Sequence, residues 1–384
     1  MSSETAASRN VGGASQVPAA TSADQKAAGR HTPPMSRWVD LGAPVHYVDH
    51  GGPPGAPLLV MVHGLGGSLV NWAALAPLLT DTCRVLALDL IGFGHTQAGT
   101  HSTSVTANQQ MLQRFLSEVA GDPVILVGNS MGGLIAILLA AQHPELVTGI
   151  VLIDPALPVK VGSQPDALVS AGFGMYAVPH LGRAMLRARR RVRSPEQLAG
   201  DVLRLCCVDP ERVAADVREQ LLEMARARGE YPDIDNQFLG AARSMMGILA
   251  RRSSYLATMA AIRVPVLLLH GEKDRLVTIG ASRAVAAANP SWRFEVAPDV
   301  GHVPQLEVPE WTAGRILDWL ATDVLGRVRT DKSGKGNRQK MTATEDDSDT
   351  EGSDTEGSDT EGSDIRDTDT GERERRLRSD PWSS

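Results

Sequence analysis

One short stretch limits the folds open to this chain more than any other. Gly128-Asn129-Ser130-Met131-Gly132-Gly133 joins an apolar run with strand character, residues 123–128, to an apolar run with helical character, residues 132–142. A chain that passes from a buried strand into a buried helix over so few residues must turn sharply, and the turn closes only if its neighbours are small. The residue at the apex is then held in a backbone shape that side chains seldom adopt. The first N–H groups of the helix point at whatever stands above that apex. Ser130 is therefore the candidate nucleophile, and Met131 N–H a candidate donor to a developing negative charge.

The flanking pattern predicts what carries this turn. Residues 37–41 and 45–49 alternate apolar and polar around Gly42-Ala43-Pro44, as in a hairpin. Residues 57–63 form a continuous apolar run, as in a strand buried on both faces. Helical spacing at 72–79, a strand at 84–90 and an amphipathic helix at 105–119 follow, the helix carrying Met111, Leu112, Phe115 and Val119 on one side. Another strand is expected at 148–153. Strands at 264–270 and 292–297 and helices at 279–288 and 309–325 resume the alternation later. This order predicts the α/β class, with a mostly parallel eight-stranded sheet and helices on both faces.

Between the two halves, residues 157–261 contain helical patterns and no strand pattern, as expected of an inserted helical lid. Ser194-Pro195-Glu196-Gln197 is a capping box with proline at the first helical position, and Asp209-Pro210-Glu211 is a similar start. The expected domains are a disordered leader at 1–35, an α/β core at 36–156 and 262–328, the lid, and a disordered acidic tail at 329–384. The tail contains SDTEGSDTEGSDTEGSD at 348–364, which has almost no apolar side chain to offset its chain entropy.

A serine needs a base, and His302 in Val300-Gly301-His302 follows the last predicted strand. The base needs an acid. Asp274 follows the preceding strand, and Asp154 follows the strand at 148–153, so both stay open. Residues 63–67, His-Gly-Leu-Gly-Gly, end the first parallel strand, and their Leu65 N–H is the second candidate oxyanion donor. The loop is no P-loop, since no Gly-Lys-Ser/Thr follows it. Each expected strand end lies on the edge of the sheet where open α/β folds bind ligands.

Net charge is −7, yet residues 331–384 carry 16 acidic and 9 basic residues, so the rest of the chain is balanced. A balanced body gives no electrostatic case for binding nucleic acid. Three cysteines, Cys83, Cys206 and Cys207, do not suggest a disulfide framework, and the leader lacks an apolar signal segment. No apolar run approaches membrane-spanning length. A cytoplasmic location without membrane insertion is expected.

Four stretches together resemble the α/β-hydrolase superfamily in its serine-nucleophile branch: HGLGG at 63–67, DLIGFG at 89–94, GNSMGG at 128–133, and GEKD with VGH at 271–274 and 300–302. The resemblance covers about residues 37–326. It implies a Ser130–His302–Asp274 triad, a structural turn at 89–94, and hydrolysis of an ester or related acyl bond of a small molecule with neither metal nor cofactor. Asn129 before the serine resembles the carbon–carbon bond hydrolases of aromatic catabolism. Those enzymes usually show HGxGPG where this chain has Leu65-Gly66-Gly67-Ser68, and they need an arginine from the lid. Here Arg183, Arg187, Arg189, Arg190, Arg191 and Arg193 read as a solvated helix face. A cofactor-free haloperoxidase-like activity shares the triad, and a non-catalytic interaction protein on the same scaffold is the alternative of another class. Phe173, Met175, Tyr176, Leu181 and Met185 are expected to form the lid's own core in preference to an acyl pocket.

Overall fold

A computed structural model describes residues 34–158 and 167–326. The expected tail and nearly all of the expected leader lie outside these residues, as does the start of the lid at 159–166.

Eight strands form one sheet in the order β1-β2-β4-β3-β5-β6-β7-β8. They are β1 Met35–Asp40, β2 Pro44–Gly51, β3 Leu58–Val62, β4 Arg84–Leu88, β5 Val124–Asn129, β6 Val147–Ile153, β7 Val266–Gly271 and β8 Arg293–Ala297. The hairpin β1–β2 is antiparallel and joins β4 antiparallel; from β4 to β8 every pairing is parallel. This is the α/β-hydrolase architecture expected from the motifs.

Strand alternation explains the continuous apolar runs. Val60, Val62, Leu126, Ile150, Leu152 and Leu268 face one core cluster, and Leu59, Met61, Ile125, Val127, Val151 and Leu267 face another on the opposite side. Residues of both parities are buried, so neither face can be polar. Each fully buried aliphatic side chain contributes about 1.5–3 kcal/mol. The first cluster is closed by α1 (Val105–Phe115) and α2 (Met131–Gln142), which supply Met111, Leu112, Phe115, Leu134 and Ile135.

Residues 72–79 depart from the expected helix. Two single 3₁₀ turns, Leu69–Trp72 and Ala76–Leu79, stand there. Pro77 lies inside the window and lacks the N–H that a continuous helix would use.

Among the described residues, six α-helices separate β6 from β7: α3 Ala167–Ala177, α4 Pro179–Val192, α5 Pro195–Cys206, α6 Ala215–Gly229, α7 Ile234–Ala250 and α8 Arg252–Ala260. The Ser194 capping box is present, with Ser194 Oγ accepting from Gln197 N–H. The Asp209 start opens only the short turn Pro210–Arg212. Ala241, Met245, Tyr255 and Met259 join the main core, so the last two helices are built into the body. Phe173 and Tyr176 do pack edge to face, with Phe238 beyond, but Leu181 is 48% exposed and belongs to no core. Most of the arginines of α4 are exposed; Arg189 and Arg190 pair with Asp201 and Asp235.

Order reversal in the sheet falls beside β3. The chain passes from β3 to β4 on one side and then crosses back to β5 on the other. The carboxyl ends of β3 and β5 therefore flank the crevice where such sheets place their sites.

Candidate active site

Ser130 occupies the turn between β5 and α2 with φ 54° and ψ −117°. That region is costly for any residue bearing a Cβ, by about 1–3 kcal/mol. Neighbouring contacts hold it there. Ser130 N–H donates to the Ile153 carbonyl at 3.1 Å, and its own carbonyl accepts from Ala156 at 2.9 Å and Leu134 at 3.1 Å. A Cβ on Gly132 would overlap the Val62 carbonyl, which is why this position must be glycine. Asn129 and Met131 are buried while Ser130 is half-buried, so the turn presents the serine alone.

The loop after β3 presses on the serine from the other side. A Cβ on Gly64 would sit 3.0 Å from Ser130 Cβ. Leu65 therefore follows a residue in contact with the serine, and Met131 opens the helix, where backbone N–H groups have no intrahelical partner. These are the two residues whose N–H groups are the candidate donors named from sequence.

His63 fixes the loop. It is fully buried, its Nδ1–H donates to the Gly64 carbonyl at 2.8 Å, and its Nε2 accepts from Leu90 N–H at 3.1 Å. Both ring positions are thus used by a neutral imidazole. Burial pushes its pKa down from 6.5 to about 4. Between those values the unfolded chain binds a proton that the folded protein refuses. Stability is therefore full above pH 6.5 and falls as pH drops toward 4. Roughly 3 kcal/mol is involved. Urea midpoints measured across this window should fall in the wild type and fall less in His63→Gln.

Asp89 organises the turn at 89–94. Its carboxylate accepts from His46 Nδ1 at 2.8 Å, Leu69 N–H at 2.8 Å and His95 N–H at 2.9 Å. Burial would raise its pKa, but these donors and nearby His63 outweigh it and hold the carboxyl below its ordinary value.

Beyond β8, His302 is 4% exposed and pairs through Nδ1 with Asp274 Oδ2 at 2.8 Å. Asp274 Oδ1 accepts from Leu276 and Val277 N–H at 2.7 and 3.1 Å. Burial pushes the Asp274 carboxyl up; the facing His302 and the remaining donors pull it further down, so it lies below the usual carboxylate range. Of the two acids left open by sequence, Asp274 is the one that meets the histidine. Asp154 is fully buried nearby and hydrogen-bonds Gly271 N–H at 2.9 Å. One ligand atom each of Asp154, Asp274 and His302 lies within 4.8 Å of the others, the only cluster of this kind among the described residues. Of these groups, His302 and Asp274 are hydrogen-bonded to each other, and Asp154 Oδ1 is taken by Gly271 N–H.

Two residues have positioning roles that the sequence did not assign: Asn129, read there only as a feature shared with carbon–carbon bond hydrolases, and Glu307. Asn129 Nδ2 donates to the carbonyls of Ile153 at 3.0 Å and His302 at 3.1 Å, tying the serine turn to the histidine loop. Glu307 accepts from Gly301 N–H at 3.0 Å and from Val208 and Asp209 N–H at 3.1 Å. Asn129 could be suspected from its place beside Ser130; nothing local marks Glu307, whose lid partners are nearly a hundred residues away.

The histidine backbone also reaches the helical stretch between β6 and β7. His302 N–H donates to the Cys206 carbonyl at 2.6 Å, and a Cβ on Gly301 would overlap that same carbonyl.

A sharp serine turn, a buried histidine–carboxylate pair and a glycine loop on one edge of such a sheet define a hydrolase. The family model described as alpha/beta hydrolase fold matches residues 57–309, and the chain belongs to that family. The chain is 23% identical over 298 residues to the human monoacylglycerol lipase ABHD6, covering 73% of this chain and 83% of that protein. It is 25% identical over 310 residues to a 2-hydroxy-6-oxo-6-(2'-aminophenyl)hexa-2,4-dienoic acid hydrolase of Metapseudomonas resinovorans, covering 75% and 91%. It is 26% identical over 266 residues to the dihydrolipoyllysine-residue acetyltransferase component of the acetoin cleaving system of Cupriavidus necator; this covers 69% of the chain but only 63% of that protein. No helix among the described residues is long and apolar enough to cross a membrane.

Proposed function

We propose that the protein is a serine hydrolase that cleaves a carboxylic ester or related acyl bond through an acyl-enzyme on Ser130. The observation that carries this reading is the strained Ser130 turn, packed under the 63–67 loop on the sheet edge that also holds the 2.8 Å His302–Asp274 pair. His302 takes the Ser130 proton as Oγ attacks the carbonyl carbon. Leu65 and Met131 N–H groups receive the oxyanion. When the carbon–oxygen bond breaks, His302 gives that proton to the leaving alkoxide, and water repeats the sequence to free the acid. Asp274 holds the histidine tautomer and balances the imidazolium.

A fluorophosphonate probe, followed by p-nitrophenyl esters of increasing acyl length, tests this. Labelling and turnover in the wild type that vanish in Ser130→Ala support the reading, and the preferred length sizes the acyl site. A folded wild type that takes no label overturns it in favour of a non-catalytic scaffold. Labelling without ester turnover favours the second reading, a carbon–carbon bond hydrolase acting on a diketone. Asn129 beside the serine and the similarity to the Metapseudomonas hydrolase speak for that second reading.

A further inference from the structure

We infer that Asp154 is held as a neutral carboxylic acid that donates a hydrogen bond to Asp274 and thereby positions the carboxylate facing His302. The inference builds on the serine-hydrolase reading, but its main measurement does not require turnover.

The geometry of the pair demands a proton. Asp154 Oδ1 accepts the Gly271 N–H at 2.9 Å, while Oδ2 is buried and receives a hydrogen bond from no other residue among those described. An ionised carboxylate would leave that oxygen charged, dry and unpaired, which is costly. Its neighbour is the Asp274 carboxyl, an oxygen of each lying within 4.8 Å of the other. Two carboxyls can bond only through a proton, and two like charges at that distance cannot both persist in a dry site.

The surroundings decide which carboxyl keeps the proton. Asp274 has three donors: Leu276 N–H at 2.7 Å, Val277 N–H at 3.1 Å and His302 Nδ1 at 2.8 Å. Asp154 has one. His270 lies against both acids, with Nδ1 3.3 Å from Asp154 Oδ1 and Nε2 3.6 Å from Asp274 Oδ2. Its Nε2–H donates to the Val277 carbonyl at 2.9 Å, which leaves Nδ1 to accept the Ser282 hydroxyl at 2.8 Å. That imidazole is neutral and supports no second anion. Glu307 adds negative potential, and burial keeps the nearby Cys206 thiol protonated, its pKa pushed up to about 12. His302, the remaining titratable neighbour, is committed to Asp274. Burial first, then the Asp274 charge, raise the Asp154 carboxyl well above its usual range.

The direct test is infrared difference spectroscopy on the full chain at neutral pH. The wild type should show the carbonyl stretch of a protonated carboxylic acid that Asp154→Asn lacks; identical spectra overturn the inference. Asp274→Asn provides the same test should Asp154→Asn fold poorly. Changing the acceptor must shift or remove the band, and an unmoved band overturns the assignment. The pH–rate profile gives a second reading. Asp154→Leu removes the donor, leaves Asp274 more basic and should move the acidic limb of kcat/KM upward by about half a unit or more. Asp154→Asn keeps a donor and should restore the limb. A limb that moves downward in Asp154→Asn would show that the wild-type residue is charged, which also overturns the inference. Failure of the fluorophosphonate labelling leaves the spectroscopic result standing, so the two ideas fail separately.

Discussion

Ser130→Ala is expected to lower ester turnover by about a millionfold. The substitution removes only Oγ, the group that forms the acyl bond in the proposed mechanism. The backbone donors of Leu65 and Met131 stay, so a residual rate of about a thousandfold over water should persist. Folding should be untouched, because alanine keeps the Cβ that meets Gly64 and the same strained φ of 54°. Thermal melting alongside the rate assay checks both halves. Retained turnover in a folded Ser130→Ala protein would remove the serine from the mechanism. Ser130→Gly makes the strain itself visible: it is equally inactive, yet should be more stable by about 1 kcal/mol, since glycine adopts this backbone freely.

Asp274→Asn should cost about ten-thousandfold in kcat. The asparagine still offers an oxygen to the Leu276 and Val277 N–H groups, so the loop keeps its shape. What disappears is the anion opposite His302 Nδ1, now 2.8 Å away. Without it the imidazolium that the proposed mechanism forms during attack would be unsupported and the ring free to present the wrong tautomer. Steady-state kinetics on a small p-nitrophenyl ester provides the readout. A variant retaining a tenth of the wild-type rate would shift the role of acid elsewhere, and Asp154 would be the place to look.

The sequence made the sheet legible because parallel strands buried on both faces must be apolar throughout, and 57–63, 123–128 and 148–153 can be little else. The helix at 279–288 was legible to the residue, since an alanine-rich segment bounded by Thr278 and Asn289 has clear ends. Residues 72–79 were not. Eight residues cannot separate a period of three from one of 3.6, and tertiary packing of Trp72 and Leu79 decided the matter. Local pattern also marked Ser130, His302, Leu65 and Met131 as candidates. It left Asp154 and Asp274 level, because each follows a strand and the difference lies in a histidine donated from another loop. Leu181 misled for a related reason: helical spacing shows that a side chain shares a face, not that anything covers it.

The contact between His302 N–H and the Cys206 carbonyl bears on how such proteins diversify. A lid is often pictured as a cassette that can be exchanged while the chemistry beneath stays put. Here residues 206–212 belong to both parts. Cys206 holds the histidine backbone, Val208 and Asp209 share Glu307 with Gly301, and Arg212 pairs with Asp299 at 2.6 Å. A recombination breakpoint downstream of this seam would import a new roof and misplace the base in one step. Lineages that retain catalysis should therefore vary freely in the earlier lid helices and conserve the seam.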